Sequence, residues 1–332
     1  MEDDKRRVLK EIILLQEFNL KKSLPLIIIL LFFTVAAAFS LFLSLSPGGE
    51  EPGKEYSEKE GGIVITDDLG YRVELPAPAE RIVSTYSANT ETLIWLGAEK
   101  KLAGVGTHDI GNLKVPGVGS HIRPDIEAIL ACRPDLVILS ATRKSVYEKL
   151  KPVFVENRIP VAALYPDNVA GVFKNIERLS KLTGVKPDRE KLKKMTDIID
   201  SIRKKVDAIP KDKRKRIFFE VNSLKLLTCG RESFVYDVIL HGGGIPISDF
   251  KMNVHPFDLE RLIAADPDYY LIQKGAMNRS PVSPEKRKVI QDLKCIKNGN
   301  WSIVDETLIS RPGPNVAEAV KTIYNLLYGE KR

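Results

Sequence analysis

The sequence predicts an α/β fold of two similar lobes with parallel sheets, joined by one long α-helix and preceded by an N-terminal transmembrane helix. Three observations lead there. From Ile63 onward, short apolar strand-like runs alternate with stretches of helical periodicity. A helix–Pro-Asp–strand unit occurs twice. Between the two copies, PDREKLKKMTDIIDSIRKKVDAI (Pro187 to Ile209) places Leu192, Met195, Ile199, Ile202, Val206 and Ile209 at the three- and four-residue steps of one helical stripe.

Composition bounds the class. The chain has 332 residues, 43% hydrophobic and 29% charged, which is globular and not disordered. Its net charge of +7 is read as spread among acids, with no basic block interleaved with aromatics. That excludes a nucleic-acid partner and leaves the charge to general surface and an anionic ligand. The three cysteines, Cys132, Cys229 and Cys295, share no CxxC spacing, so no disulfide framework or zinc site follows.

In chain order, residues 1–23 form a cytoplasmic tail; Val8, Leu9, Ile12, Ile13, Leu15 and Phe18 suit a short amphipathic surface helix, and a solvated or partner-bound tail is the alternative. Leu24 to Leu45 is apolar except for a few Ser and Thr, long enough as a helix for a hydrocarbon core of about 30 Å. Lysines precede it and glutamates follow, which puts residue 1 inside and the bulk of the chain outside. Ser46 to Gly62 is rich in Pro, Gly and acids and reads as a flexible linker. The first lobe covers 63–186, the connecting helix 187–209 and the second lobe 210–332.

Within the first lobe, strands are expected at Arg81–Tyr86, Leu102–Gly106, Leu136–Ser140 and Val161–Leu164. Helices are expected at Asn89–Leu96 (closed by Gly97), Pro124–Ala131, Lys144–Asn157 and Val172–Leu182 (ending at Gly184). The connecting helix is favoured at its start by Pro187, Asp188 and Glu190 and stopped by Pro210. In the second lobe, strands are expected at Arg216–Val221, Leu224–Thr228, Tyr269–Ile272 and Trp301–Val304. Its helices are expected at Glu232–Leu240, Asp258–Ala264, Pro284–Leu293 (capped by Ser283) and Asn315–Tyr328.

The repeat aligns IEAILACRPDLVIL with LERLIAADPDYYLI. Glu127 matches Glu260, Ala131 matches Ala264, Pro134 matches Pro267 and Asp135 matches Asp268, all at the offset 260 − 127 = 133. With these units in place, the chain from about Ile65 onward resembles the helical-backbone (class III) substrate-binding proteins of ABC importers for ferric siderophores, haem and vitamin B12. The resemblance opens with ITDDLGYRVELPAPAERIVSTYSANTETLIWLGAEKKLAGV, like that family's first strand pair and helix, and ends in ISRPGPNVAEAV.

The resemblance implies a non-enzymatic carrier whose partners are an ABC permease with its ATPase and a small-molecule metal chelate. It implies that Glu127 and Glu260, one per lobe, dock on the permease. Two exposed charges contribute little affinity and are expected to set registry. Many anchored relatives carry a lipid-bearing cysteine near the start. Here no cysteine precedes Cys132, so a protein anchor is expected in its place.

In a parallel sheet, ligands sit beyond the carboxyl ends of the strands. That places Ser87 to Asn89, His108, Ser120, His121, Arg143, Lys144 and Tyr165 of the first lobe on the cleft. From the second lobe come Asn222, Ser223, Lys274, Arg279 and Arg311. The basic members suit an anionic iron chelate of the siderophore kind, because guanidinium pairs in a fork with carboxylate or catecholate oxygens. No resident cofactor or metal is expected. The alternative ligands are haem, held by His108 or His121 with Tyr165, and cobalamin, for which Trp95 and Trp301 both look structural.

Two other function classes stay open. One is an anchored enzyme, for which the chain shows no GxSxG, HExxH or P-loop. Its adjacent Asp67-Asp68, read as strand neighbours, would point to opposite faces. The other is a sensory ectodomain, which a cytoplasmic part of some two dozen residues would have to serve through a partner helix.

Overall fold

The computed structural model describes residues 62–109, 111 and 113–329, with His108 through its backbone alone. The tail, the anchor and all of the linker but Gly62 lie outside the described residues. Among the described residues no helix is long and apolar enough to cross a membrane.

Strand β1 (Ile63–Thr66) pairs antiparallel with β2 (Arg72–Leu75). The turn between them is closed by Asp67, whose carboxylate accepts from the amides of Leu69, Tyr71 and Ala163 at 2.8–3.0 Å. The first-lobe sheet follows: β3 (Ile82–Ser84), helix α1 (Ser87–Leu96), β4 (Leu102–Val105), the two-residue pair β5 (Gly119–Ser120) and β6 (Arg123–Pro124), helix α2 (Ile126–Ala131), β7 (Leu136–Leu139), helix α3 (Lys144–Glu156), β8 (Val161–Ala163) and helix α4 (Val169–Thr183). Strands β4-β3-β7-β8 lie side by side, all parallel. Every residue of β3, β7 and β8 is buried, the signature of a sheet covered on both faces. Gly97 (φ 87°) and Gly184 (φ 69°) end α1 and α4 in the left-handed region that glycine enters at least cost.

The connecting helix α5 runs Arg189–Asp207, nineteen residues or about 28 Å. Asp188 caps it, accepting from the amides of Glu190 and Lys191. Of its predicted stripe, Met195, Ile202 and Val206 are buried, packed chiefly along the last helix of the chain. The apolar core does not stop at the lobe boundary. One contiguous cluster runs from Leu93 and Leu179 through Met195 and Ile202 to Val238 and Ile323.

The second lobe holds β9 (Arg216–Asn222), β10 (Leu227–Cys229), α6 (Phe234–His241), β11 (Ile245–Pro246), β12 (Val254–Pro256), α7 (Leu259–Ala265), β13 (Tyr269–Lys274), α8 (Lys294–Lys297), β14 (Trp301–Asp305), α9 (Glu306–Ile309) and α10 (Val316–Tyr328). Strands β9, β13 and β14 are parallel, with β11 joining β9 in the same sense. The expectation of a purely parallel sheet fails here. Strand β10 runs antiparallel to both its neighbours, β9 and β12, because the short turn after Asn222 returns it directly alongside β9.

The helix expected over Pro284–Leu293 is also corrected. A single 3-10 turn at Pro284–Lys286 gives way to an extended Arg287 (φ −104°, ψ 99°), then turns, and only Lys294–Lys297 is helical. The cause is the Arg287 guanidinium, which leaves any helical course to meet buried Glu220 at 2.6 Å.

The twofold repeat goes deeper than its letters. Asp125 and Asp258, again 133 apart, cap α2 and α7 by accepting from Ala128 N and Arg261 N at 3.0 and 2.8 Å. Ile129 and Leu262 are both fully buried. Arg133 (φ 47°) and Asp266 (φ 39°) both turn left-handed just before the shared proline. Asp135 then accepts from Glu80 N and Arg81 N, as Asp268 accepts from Arg216 N, tying helix end to strand start in each lobe. Asp135→Ala should therefore cost about 1–2 kcal/mol in a denaturant titration, from the loss of two charge-assisted bonds at a partly solvated site. An unchanged midpoint would mean that the tie is redundant.

Candidate functional site

Because the central strands of each lobe run parallel, the loops at their carboxyl ends share one side of that lobe. Tyr86 lies just beyond β3, Tyr165 just beyond β8, and His121 between β5 and β6. Their rings meet: Tyr86 to His121 edge-on at 5.2 Å between centroids, Tyr86 to Tyr165 tilted at 5.8 Å. From the second lobe Arg311 crosses over, its Nη1 donating to Glu91 Oε1 on α1. Glu306, the first residue of α9, accepts from Ala276 N at 2.6 Å. A second tie between the lobes lies at the start of α4, where Val169 N donates to Asp237 Oδ2 of α6 at 2.8 Å.

The electrostatics follow from burial. Desolvation first, then Tyr165, holds the Tyr86 hydroxyl well above its ordinary pKa; Glu306 and Glu91 add to the rise and Arg311 opposes it. Burial, helped by Asp167, pushes Tyr165 up to about 12. Both phenols keep their protons at neutral pH and can donate to a ligand oxygen. Burial also raises the Glu91 carboxyl, against the pull of Arg311.

The predicted site residues divide. His121, Tyr165 and Arg311 come together around Tyr86. Asn222 is taken up within its own lobe, its Nδ2 donating to Met277 O and its Oδ1 accepting from Lys225 N, and Ser223 donates to Glu220 and Asn278. Asn89 is fully buried, bridging Leu164 O and Asn175, and is structural. Arg143 and Lys144 are exposed at the start of α3, with Lys144 3.5 Å from Glu148. Lys274 and Arg279 are exposed at and after the end of β13. The side chain of His108 is not among those described. Of the expected basic set, Arg311 is paired with Glu91, while Arg143, Lys144, Lys274 and Arg279 are exposed. Tyr86, Glu91 and Glu306 escaped sequence reading.

Beside Tyr165 a cavity of about 830 Å³ opens between the lobes, bordered by Asp167, Lys174 and Arg178 on one side and Glu232 and Asn253 on the other. Arg178 is committed there, binding both oxygens of Asp68 at 2.7 and 2.9 Å. Asp67 and Asp68 sit in the β1–β2 turn and not in a strand, each fully engaged in holding the fold. Neither tryptophan belongs to this region. Trp95 packs against the core, and Trp301 opens β14 with its Nε1 on Glu285. The three cysteines are free and buried, and burial pushes Cys229 up to about 12 and Cys295 to about 11.

Glu127 and Glu260 are both exposed, each in the first turn of its short helix, α2 and α7. Their positions are equivalent in the repeat, each two residues after the capping aspartate of its helix.

Comparison with known proteins agrees with this architecture. The family model described as periplasmic binding protein matches residues 82–300. The chain is 25% identical over 292 residues to the uncharacterized ABC transporter substrate-binding lipoprotein YvrC of Bacillus subtilis, covering 85% of this chain and 91% of that one. In fold it is similar to CeuE of Helicobacter pylori, solved as a Ni-His complex, with a TM-score of 0.67 at 17% identity over 80% of this chain and 88% of that one. It is also similar to the vitamin B12 binding protein BtuF of Vibrio cholerae, with a TM-score of 0.64 at 20% identity over 76% and 98%.

Proposed function

We propose that this chain, which belongs to the periplasmic binding protein family and serves as the substrate-binding component of an ABC transporter, captures a metal chelate of the siderophore kind outside the cell and hands it to the permease. The reading holds the domain to the membrane by the apolar run Leu24–Leu45. The observation that carries delivery is the pair Glu127 and Glu260, two exposed carboxylates on matched helices of matched lobes. Two charges a fixed distance apart orient the cleft over a translocation path even though each contributes little binding energy.

Capture falls to the cleft between the lobes. Tyr86, Tyr165 and His121 supply hydroxyl and ring donors, and exposed Arg143, Lys274 and Arg279 supply rim charge for carboxylate or catecholate oxygens. No step requires bond making.

The chain purified from cells grown in excess iron is expected to carry a chelate visible by native mass spectrometry, with a catecholate– or hydroxamate–iron absorption band. A Soret band or a corrin spectrum would replace the siderophore reading with haem or cobalamin, and turnover of a bound ligand would sink the carrier reading. Scattering with and without ligand should change little. A single helix and a shared core resist hinge rotation, and a large compaction would contradict that.

A further inference from the structure

The net charge is not spread over the molecule. The sixteen residues from Ser201 to Arg216, SIRKKVDAIPKDKRKR, hold eight lysines and arginines against two aspartates, a net +6 where the whole chain nets +7. They form the last turns of α5, the turn after it and the first residue of β9. Arg203, Lys204, Lys205, Lys211, Lys213 and Arg216 are exposed. Local acids answer few of them. Arg203 lies 3.1 Å from Asp200, Lys213 3.6 Å from Asp212 and Arg214 4.0 Å from Asp207. Among the described residues Lys204, Lys205, Lys211 and Lys215 have no carboxylate within ion-pair distance.

The position of this pole is as telling as its charge. It surrounds the amino end of β9, whose seven residues run about 20 Å to Asn222 at the opposite, cleft end of the sheet. It therefore plays no part in holding a ligand in the cleft. In the reading proposed above, the cleft end faces the permease, so the basic end points away from the bilayer.

We infer that this basic pole is a docking surface for a linear, phosphate-bearing polymer of the cell envelope. The size of the partner follows from energetics. A single exposed ion pair is worth about 0.2–1 kcal/mol, too little to hold a free phosphate. A polymer engages several cations at once and releases its own counterions, so its binding is cumulative and salt-sensitive. The consequence is orientation: a tethered carrier whose basic pole is held among anionic polymers keeps its cleft unobstructed.

The direction of docking rests on the proposed function; the test of the surface does not. The full chain is titrated with fluorescently labelled inorganic polyphosphate, with orthophosphate as the monomeric control. Saturable binding to the polymer alone is expected, with affinity falling about threefold or more for each doubling of salt. The triple variant Lys204→Gln, Lys211→Gln, Lys213→Gln should lose about tenfold or more in affinity. A variant of equal charge change elsewhere, Lys100→Gln, Lys149→Gln, Lys288→Gln, should lose less than about twofold. Arg214 and Arg216 are left intact because they bond to Val206 O and Ala265 O.

Equal losses in the two variants, or no polymer binding, would overturn the inference. A bilayer partner would overturn it as well. That outcome would read as protection of Lys211 and Lys213 from acetylation in phosphatidylglycerol nanodiscs, but not in phosphatidylcholine ones, without polymer binding. Failure to find a chelate in the cleft would leave polymer binding untouched, so the two readings fail separately.

Discussion

Replacing Arg287 by methionine is expected to cost about 3–5 kcal/mol of stability, a large share of the roughly 5–15 kcal/mol that holds a protein folded. Glu220 is the reason. Its side chain is fully buried, with Oε2 accepting from Arg287 Nη1 at 2.6 Å and from the Tyr270 hydroxyl at 2.5 Å. Its Oε1 accepts from Ser223 Oγ at 2.6 Å. Removing the guanidinium strands a carboxylate that Tyr270 and Ser223 cannot neutralise, and desolvation of a lone ion far exceeds one lost hydrogen bond. The sign of the second variant follows. Glu220→Gln combined with Arg287→Met removes both charges, keeps an amide for the hydroxyls, and should regain most of the loss. Guanidinium or urea titration of the native protein, the single variants Arg287→Met and Glu220→Gln, and the double variant gives the coupling directly. A single-variant cost below about 1 kcal/mol would show that water reaches Glu220.

The second large effect concerns delivery. If Glu127 and Glu260 dock as proposed, reversing both, Glu127→Arg with Glu260→Arg, is expected to weaken the complex with the permease by about 100-fold or more. Against the basic permease surface that carboxylate docking implies, each reversal would remove an attraction and set like charges face to face, a cost of several kcal/mol at an interface. Ligand affinity should be unchanged, since both residues are exposed in the first turns of their helices and neither is among the residues grouped around Tyr86. Stability should change little as well, because the caps that hold those helices are Asp125 and Asp258, which stay in place. The single reversals should each fall between. If the double variant stimulates the transporter's ATPase as well as the native chain does, the docking role of the pair is wrong.

Much of the fold was legible because it is written in local pattern. The buried strands of the first lobe are unbroken apolar runs, the connecting helix has its stripe and its cap, and Gly97 and Gly184 end helices where expected. The repeat was visible as letters, and the structure adds the reason for some of them: Asp135 and Asp268 are retained ties between helix end and strand start. What failed was decided at a distance. Ser283 and Pro284 are good helix-start chemistry, yet Glu220, sixty-seven residues earlier, draws Arg287 out of any helix. Tyr86 was absorbed into a predicted strand because an aromatic at the end of an apolar run looks like its continuation, while the strand stops at Ser84. The Glu91–Arg311 tie joins residues 220 apart. No window of sequence contains both, and a helix glutamate ordinarily reads as solvated surface. The basic run was visible in sequence but was averaged into the whole, since its significance depends on which residues the fold leaves exposed at one end.

The continuous apolar core has a consequence for how the two halves relate. Leu93 and Leu179 on one side and Val238 and Ile323 on the other belong to the same packed cluster, with Met195 and Ile202 between them. A chain severed between the lobes would leave each fragment with a greasy wall facing water, prone to clump instead of folding by itself. The halves look like twins in sequence, yet neither is a spare module: with one core between them they are expected to melt together, a defect seeded in one being felt in the other.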